Sequence, residues 1–147
     1  MAITTAMCNS FKQELLEGVH AMDTDTLKLA LIKATPTGTY DGTTTNYSDV
    51  TGNTDEAVGT NYTAGGQNLD GASPTITLDG STAIVDFTDE VFGNVTVSAS
   101  GCIIYNSSQG NKAVAVIDFG GTVSATAGDL TIEFPAPAAA TAVIRIA

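Results

Sequence analysis

Apolar positions recur along the chain with two different periods. Near the start, Met7, Phe11, Leu15, Leu16 and Val19 fall on one helical stripe, Ser10 and Gln13 have the spacing of a capping box, and Gly18 supplies a stop. This predicts a short helix over about residues 10–18. So short a helix is marginal without tertiary packing, so its stripe is expected to dock on a sheet while Lys12, Glu14 and Glu17 face water. The run TLKLALIK then changes period: Leu27, Leu29 and Leu31 alternate with Lys28, Ala30 and Ile32, the pattern of a strand.

Residues 34–61 break both periods. They are dominated by Thr, Gly, Asn and Asp, and read as a long polar loop with room for a helical turn around Ser48 to Val58. Beyond them, residues 62–147 form a β-rich stretch punctuated by turn signals at Gly65-Gly66, Asp70-Gly71, Asp79-Gly80, Gly93-Asn94, Gly110-Asn111, Gly120-Gly121 and Gly128-Asp129. Thr75 to Leu78 and Thr82 to Phe87 are expected to form a hairpin about Asp79-Gly80, because that pair tolerates the positive φ of a tight turn. VTVSASGCIIYN and KAVAVIDF are expected to pair through a turn at Ser107 to Asn111. Leu130 to Phe134 and Ala142 to Ile146 flank PAPAAAT, whose prolines belong outside a central strand. The expected fold is mainly β: eight or so strands in an antiparallel β-sandwich or jelly-roll-like barrel, with a short N-terminal helix, as one domain over 1–147.

Charge narrows the partners. The 147 residues carry 5 Lys+Arg against 16 Asp+Glu, a formal net charge of -11. Phosphate-lined and anionic membrane surfaces repel such a chain, so neither nucleic acid nor membrane is an expected partner. The segment before Lys12 has no basic region and no uninterrupted apolar stretch, so it does not read as a secretory signal, and the cytoplasm is the expected place of synthesis.

Candidate chemistry is sparse. His20 is the only histidine and follows a helix end, where a structural role is the commoner one. Cys8 and Cys102 have neither a disulfide framework nor a metal-ligand spacing and are expected to be buried thiols. Asp49, Thr51, Asn53 and Asp55 reproduce the first positions of a calcium loop, but Thr54 stands where the turn needs Gly and Thr60 where a bidentate Glu is needed. No phosphate loop is formed by Ala64-Gly65-Gly66 or Phe119-Gly120-Gly121. The residues therefore predict no catalytic, cofactor or metal site and no enzyme. Contact with a partner is expected at the polar loop and the extreme N-terminus, with Met1, Ile3, Tyr40, Tyr47, Val50 and Val58 as its apolar anchors.

The opening MAITTAMCNSFKQELLEGVH, the closing CIIYNSSQGNKAVAVIDFGGTVSATAGDLTIEFPAPAAATAVIRIA and, between them, YTAGGQNL resemble a family of small structural proteins of tailed bacteriophages. The resemblance implies a virion component similar to capsid decoration or cement proteins, made in the host bacterial cytoplasm and placed on the capsid surface. Its implied partners are the major capsid protein lattice and copies of itself, as a homotrimer. A tail, neck or fibre-associated position is the alternative, and a host-glycan-binding module the second alternative. No functional residue is carried over by the resemblance.

Overall fold

The computed structural model describes residues 2–69 and 74–147. Met1 and the turn signal at Asp70-Gly71 lie outside the described residues. The architecture is mainly β, with two antiparallel sheets. In chain order the elements are β1 (Ala6–Met7), α1 (Asn9–Leu16), β2 (Leu27–Lys33), α2 (Ser48–Gly52), β3 (Gln67–Asn68), β4 (Thr75–Asp79), β5 (Thr82–Asp86), β6 (Glu90–Asn106), β7 (Lys112–Ile132) and β8 (Ile144–Ile146). One sheet has the order β1-β7-β6-β2-β3 and the other β4-β5-β8. The two remain separate sheets, which favours the sandwich-like arrangement over a closed barrel.

The first sheet changes character along its length. Toward its glycine-rich end, β6 alternates: Phe92, Val95, Val97 and Ala99 are buried while the residues between them are exposed. From Gly101 to Asn106 every residue is buried, as are Ala113 to Val116 opposite. Successive strand residues point to opposite faces, so this half of the sheet is covered on both. β2 shows the same: Ala30 and Ile32 on one face are as buried as Leu29 and Leu31 on the other. Part of the cover is α1, which buries Phe11, and part is the segment between β2 and β3, which buries Tyr40, Val50 and Ala57. Each large aliphatic group buried in this way contributes roughly 1.5–3 kcal/mol.

Glycine pairs turn out to have two uses. The hairpin β4–β5 pairs Asp79 with Thr82 across the two-residue loop Gly80-Ser81, where Gly80 has φ 62°. The turn between β6 and β7, Ser107 to Asn111, also forms as expected, with Gly110 and Asn111 at positive φ. Gly93-Asn94, Gly120-Gly121 and Gly128-Asp129, however, lie inside β6 and β7, where the register shifts and Asn94, Gly120 and Ala127 take positive φ. The expected strands on either side of each pair are therefore continuous, because a bulge uses the same left-handed residues as a turn.

The helix corrects three expectations, first in that Leu16, on the stripe expected to dock, is 92% exposed. Its N-cap is Cys8 without a side-chain cap, Gln13 donates to Glu17 instead of closing a capping box, and the buried Ser10 Oγ has no hydrogen-bond partner. Glu14, expected in water, is largely buried and paired with His20 and Lys112. The stop is as expected: Gly18 has φ 74°, and the amides of Gly18 and Val19 bond the carbonyls of Leu15 and Glu14, the pattern of a glycine C-cap. An unpaired buried hydroxyl is a cost, and Ala is the better helix former. Ser10→Ala is therefore expected to raise stability by about 0.5–1 kcal/mol in chemical denaturation, whereas a capping Ser10 would make the same change cost about 1 kcal/mol.

Candidate functional site: the polar segment and its carboxylate anchors

Residues 34–61 are poor in apolar groups, yet they are tied to β2 at several points. Lys33 N–H donates to the Asp55 carbonyl and Ala57 N–H to the Leu31 carbonyl, so residues 55–57 run along the outer edge of β2. Leu31 N–H donates to Tyr62 Oη at 2.9 Å. The edge that would otherwise present unpaired backbone groups is thus closed by β3, residues 55–57 and one tyrosine.

Strand-like alternation sends the two neighbouring carboxylates of Asp55 and Glu56 to opposite sides. Asp55 is fully buried. It accepts from Tyr40 Oη at 2.6 Å, Gly38 N at 2.8 Å, Thr37 N at 2.9 Å and Thr37 Oγ1 at 3.1 Å, and it pairs with Lys33 Nζ at 2.9 Å. Burial alone would raise its pKa, but the hydrogen bonds from Lys33, Tyr40, Thr37 and Gly38 outweigh this and hold it far below the usual carboxylate range. The Tyr40 phenol moves the other way, pushed up to about 12 by burial and by Asp55.

Glu56 accepts from Tyr47 Oη, from Tyr62 Oη at 2.9 Å and from Gly65 N at 2.6 Å. Tyr47 stacks on Tyr105 with ring centroids 4.5 Å apart, and Tyr105 Oη donates to the Gly65 carbonyl at 2.7 Å. The turn at Gly65-Gly66 reaches this close only because Gly66 has φ 72° and no side chain; a Cβ there would collide with the Leu29 carbonyl oxygen. Expected as a long polar loop, this segment is an anchored cover with α2 set into it.

The structure disperses the expected contact residues. Tyr40 and Val50 are core residues, not surface anchors: the first is bound to Asp55 and the second packs from α2. Tyr47 is half-buried in its stack, and Ile3 is half-buried where residues 2–4 hydrogen-bond along Tyr40. Val58 is 92% exposed and fits the expectation of an accessible apolar group. The calcium-like spacing does not assemble a site. Asp49 accepts from Thr45 N and Asn46 N, Asn53 donates to Tyr40 Oη and the Asp49 carbonyl, and Asp55 is saturated. Among the described residues no group of three or more His, Cys, Asp and Glu is placed to hold a metal ion.

A second polar cluster, which sequence patterns did not reveal, surrounds His20. The Asn106 carboxamide oxygen accepts from Ser108 N, which turns its NH2 toward His20 Nδ1 at 3.0 Å and Asp25 Oδ2 at 2.7 Å. Nδ1 is therefore an acceptor, and Nε2–H donates to Glu14 at 2.7 Å. Lys112 completes the cluster from β7 at 3.2 Å from Glu14. Both imidazole nitrogens are occupied and the side chain is fully buried, so this arrangement positions the β6–β7 turn against the end of α1. Burial raises the Asp25 carboxyl, but hydrogen bonds from Asn106, Ala21 N and Gln109 reverse the shift and leave it lowered. The Cys8 thiol is pushed up to about 12 by burial and by the nearby Asp41 and Asp49, which keeps it protonated.

An open cleft of about 720 Å³ lies between β1, β7 and the chain after β7, lined by apolar groups such as Met7, Phe119 and Phe134 and by Lys12, Asp118 and Glu133. A smaller polar hollow of about 410 Å³ sits on the anchored segment between Thr39, Thr43, Ser48 and Asn53. Among the described residues no helix is long and apolar enough to cross a membrane. No family model matches the chain, and no curated protein or solved structure is significantly similar to it.

Asp55 carries the clearest prediction. A carboxylate whose folded pKa is depressed stabilises fully above its unfolded value of about 3.9, and that contribution is lost as pH falls through and below it. Asp55→Asn leaves Lys33 without its counter-charge and places an NH2 against the Thr37 and Gly38 amides, at a cost of about 3 kcal/mol. The variant should also lose less stability than the parent between about pH 5 and pH 2. Equal acid sensitivity of the two proteins in urea titrations would show that Asp55 is not the group responsible.

Proposed function

We propose that the chain is a structural component of a bacteriophage particle that binds the outer capsid shell and stabilises it, as decoration or cement proteins do. The resemblance of both ends of the sequence to small phage structural proteins motivates the reading. The observation that carries it furthest is the anchored segment over β2, in which a Thr- and Asn-rich surface and the exposed Val58 are displayed on a rigid support instead of a mobile loop. A preorganised surface binds without first being ordered, which lowers the entropic cost of each contact.

Adhesion is the mechanism. A protein that binds the assembled lattice and not free capsid subunits stabilises the lattice by mass action, and repetition over the shell multiplies weak individual contacts. Charge sets the character of the receiving surface. Lys33 and Lys112 are paired with carboxylates and Arg145 with backbone carbonyls, so a chain of net charge -11 presents mainly negative groups. The shell surface that receives it is neutral or basic.

Shells assembled with and without the protein provide the test. Saturated shells should resist heat or chaotrope better than bare ones, at tens to hundreds of copies per particle. Equal resistance would overturn the reading, and a copy number that is a small multiple of three or six would move the protein to the tail or neck.

A further inference from the structure

β4 is an edge strand without the usual protections. Among the described residues it pairs with β5 on one side only, and all its residues are exposed. Edge strands are commonly blunted by shortness, bulges, inward charge or a cover. The other edge strands show such devices. β1 and β3 have two residues each and β8 has three, while the register of β7 is repeatedly interrupted. β4 has five residues in unbroken register, and its only charge is Asp79 at one end.

Its side chains add a second anomaly. The register Leu78 to Ala83 to Ile146 puts Ile76, Leu78 and Ile146 on one face. They are 46%, 70% and 56% exposed, whereas Val85 and Ile144 farther along the same face are buried. The small sheet therefore projects beyond the core with its apolar face uncovered, the kind of patch that marks an interface. The opposite face is already occupied at its rim, where Asp79 accepts from Ala139 N at 2.7 Å.

The sequence of β4, Thr-Ile-Thr-Leu-Asp, says what fits the edge. A two-residue hairpin loop makes Asp79 and Thr82 a hydrogen-bonded pair, so by alternation Ile76 and Leu78 aim their backbone groups at the free edge and Thr77 aims inward. Laid antiparallel on itself about Thr77, the strand sets Ile76 opposite Leu78 of the second copy, with both exchanging backbone bonds, and Thr77 opposite Thr77. Each Asp79 then faces Thr75, and the two carboxylates lie ~14 Å apart at ~3.4 Å per residue, beyond the screening length of ~8 Å. This register puts apolar against apolar and keeps like charges apart, although both copies are acidic.

We propose that β4 is a self-association edge through which two copies of the chain join their small sheets into one continuous sheet with two-fold symmetry. This replaces the three-fold assembly that the phage resemblance implies, and it stands whether or not the protein binds a capsid. Light scattering of the purified chain should give about twice its 14.9 kDa mass at tens of micromolar. Leu78→Lys alters an exposed side chain and should weaken association roughly a hundredfold, since each interface loses two apolar contacts. Thr77→Cys tests the register: directly opposed, non-hydrogen-bonded strand residues have Cα atoms about 4.5 Å apart, within disulfide range. It should cross-link under mild oxidation while Thr75→Cys does not; Cys8 and Cys102 are buried and do not compete. A monomer or trimer in solution would overturn the proposal, as would a dimer that Leu78→Lys leaves intact or that Thr77→Cys fails to link.

Discussion

The buried carboxylate of Asp55 is the interaction on which the ordered structure of residues 34–61 depends. An ionised group without partners is too costly to bury, but Asp55 gathers an ammonium, a phenol, a hydroxyl and two backbone amides. Ordering a chain costs about 1–2 kcal/mol per residue in backbone entropy, and this stretch has few apolar side chains with which to offset it. Charge-assisted hydrogen bonds do much of that work, together with the burial of Tyr40, Val50 and Ala57. Glu56, on the other side of the same backbone, repeats the device with Tyr47, Tyr62 and Gly65.

The rest of the molecule is arranged around what these anchors hold. Residues 55–57 cover the edge of β2, which lets β2 be buried on both faces and lets β6 and β7 pack as an interior ribbon. The His20 cluster performs a similar task at the other side, tying the β6–β7 turn to the end of α1 through Asn106. Both clusters spend titratable groups on position, which leaves an acidic exterior and a small sheet whose apolar end stands free.

Sequence patterns revealed the parts in which side chains repeat. β2, the β4–β5 hairpin, the turn before β7 and the glycine stop of α1 all follow local rules of alternation and positive φ. The central segment was hidden because its order comes from long-range hydrogen bonds to polar residues, which periodicity reads as loop. The spacing of Asp49, Asn53 and Asp55, which invites a calcium reading, serves instead to pin turns and to bind Tyr40. Apolar residues in a polar stretch look alike in sequence whether they are surface anchors or buried plugs, and Tyr40 and Val50 are plugs. Glycine pairs misled for a different reason: Gly93-Asn94 and Gly120-Gly121 offer the same backbone freedom to a bulge as to a turn. Ile76 and Leu78 alternate like core residues, and nothing local shows that their end of the sheet lies beyond the core.

Native-state hydrogen exchange at Thr37 and Gly38 tests the central claim most directly, because both amides end on the Asp55 carboxylate and lie in a stretch with no regular secondary structure. If Asp55 holds the segment, these amides exchange as slowly as those of β2 and lose that protection selectively in Asp55→Asn. Exchange at unstructured rates in the parent protein would contradict the account.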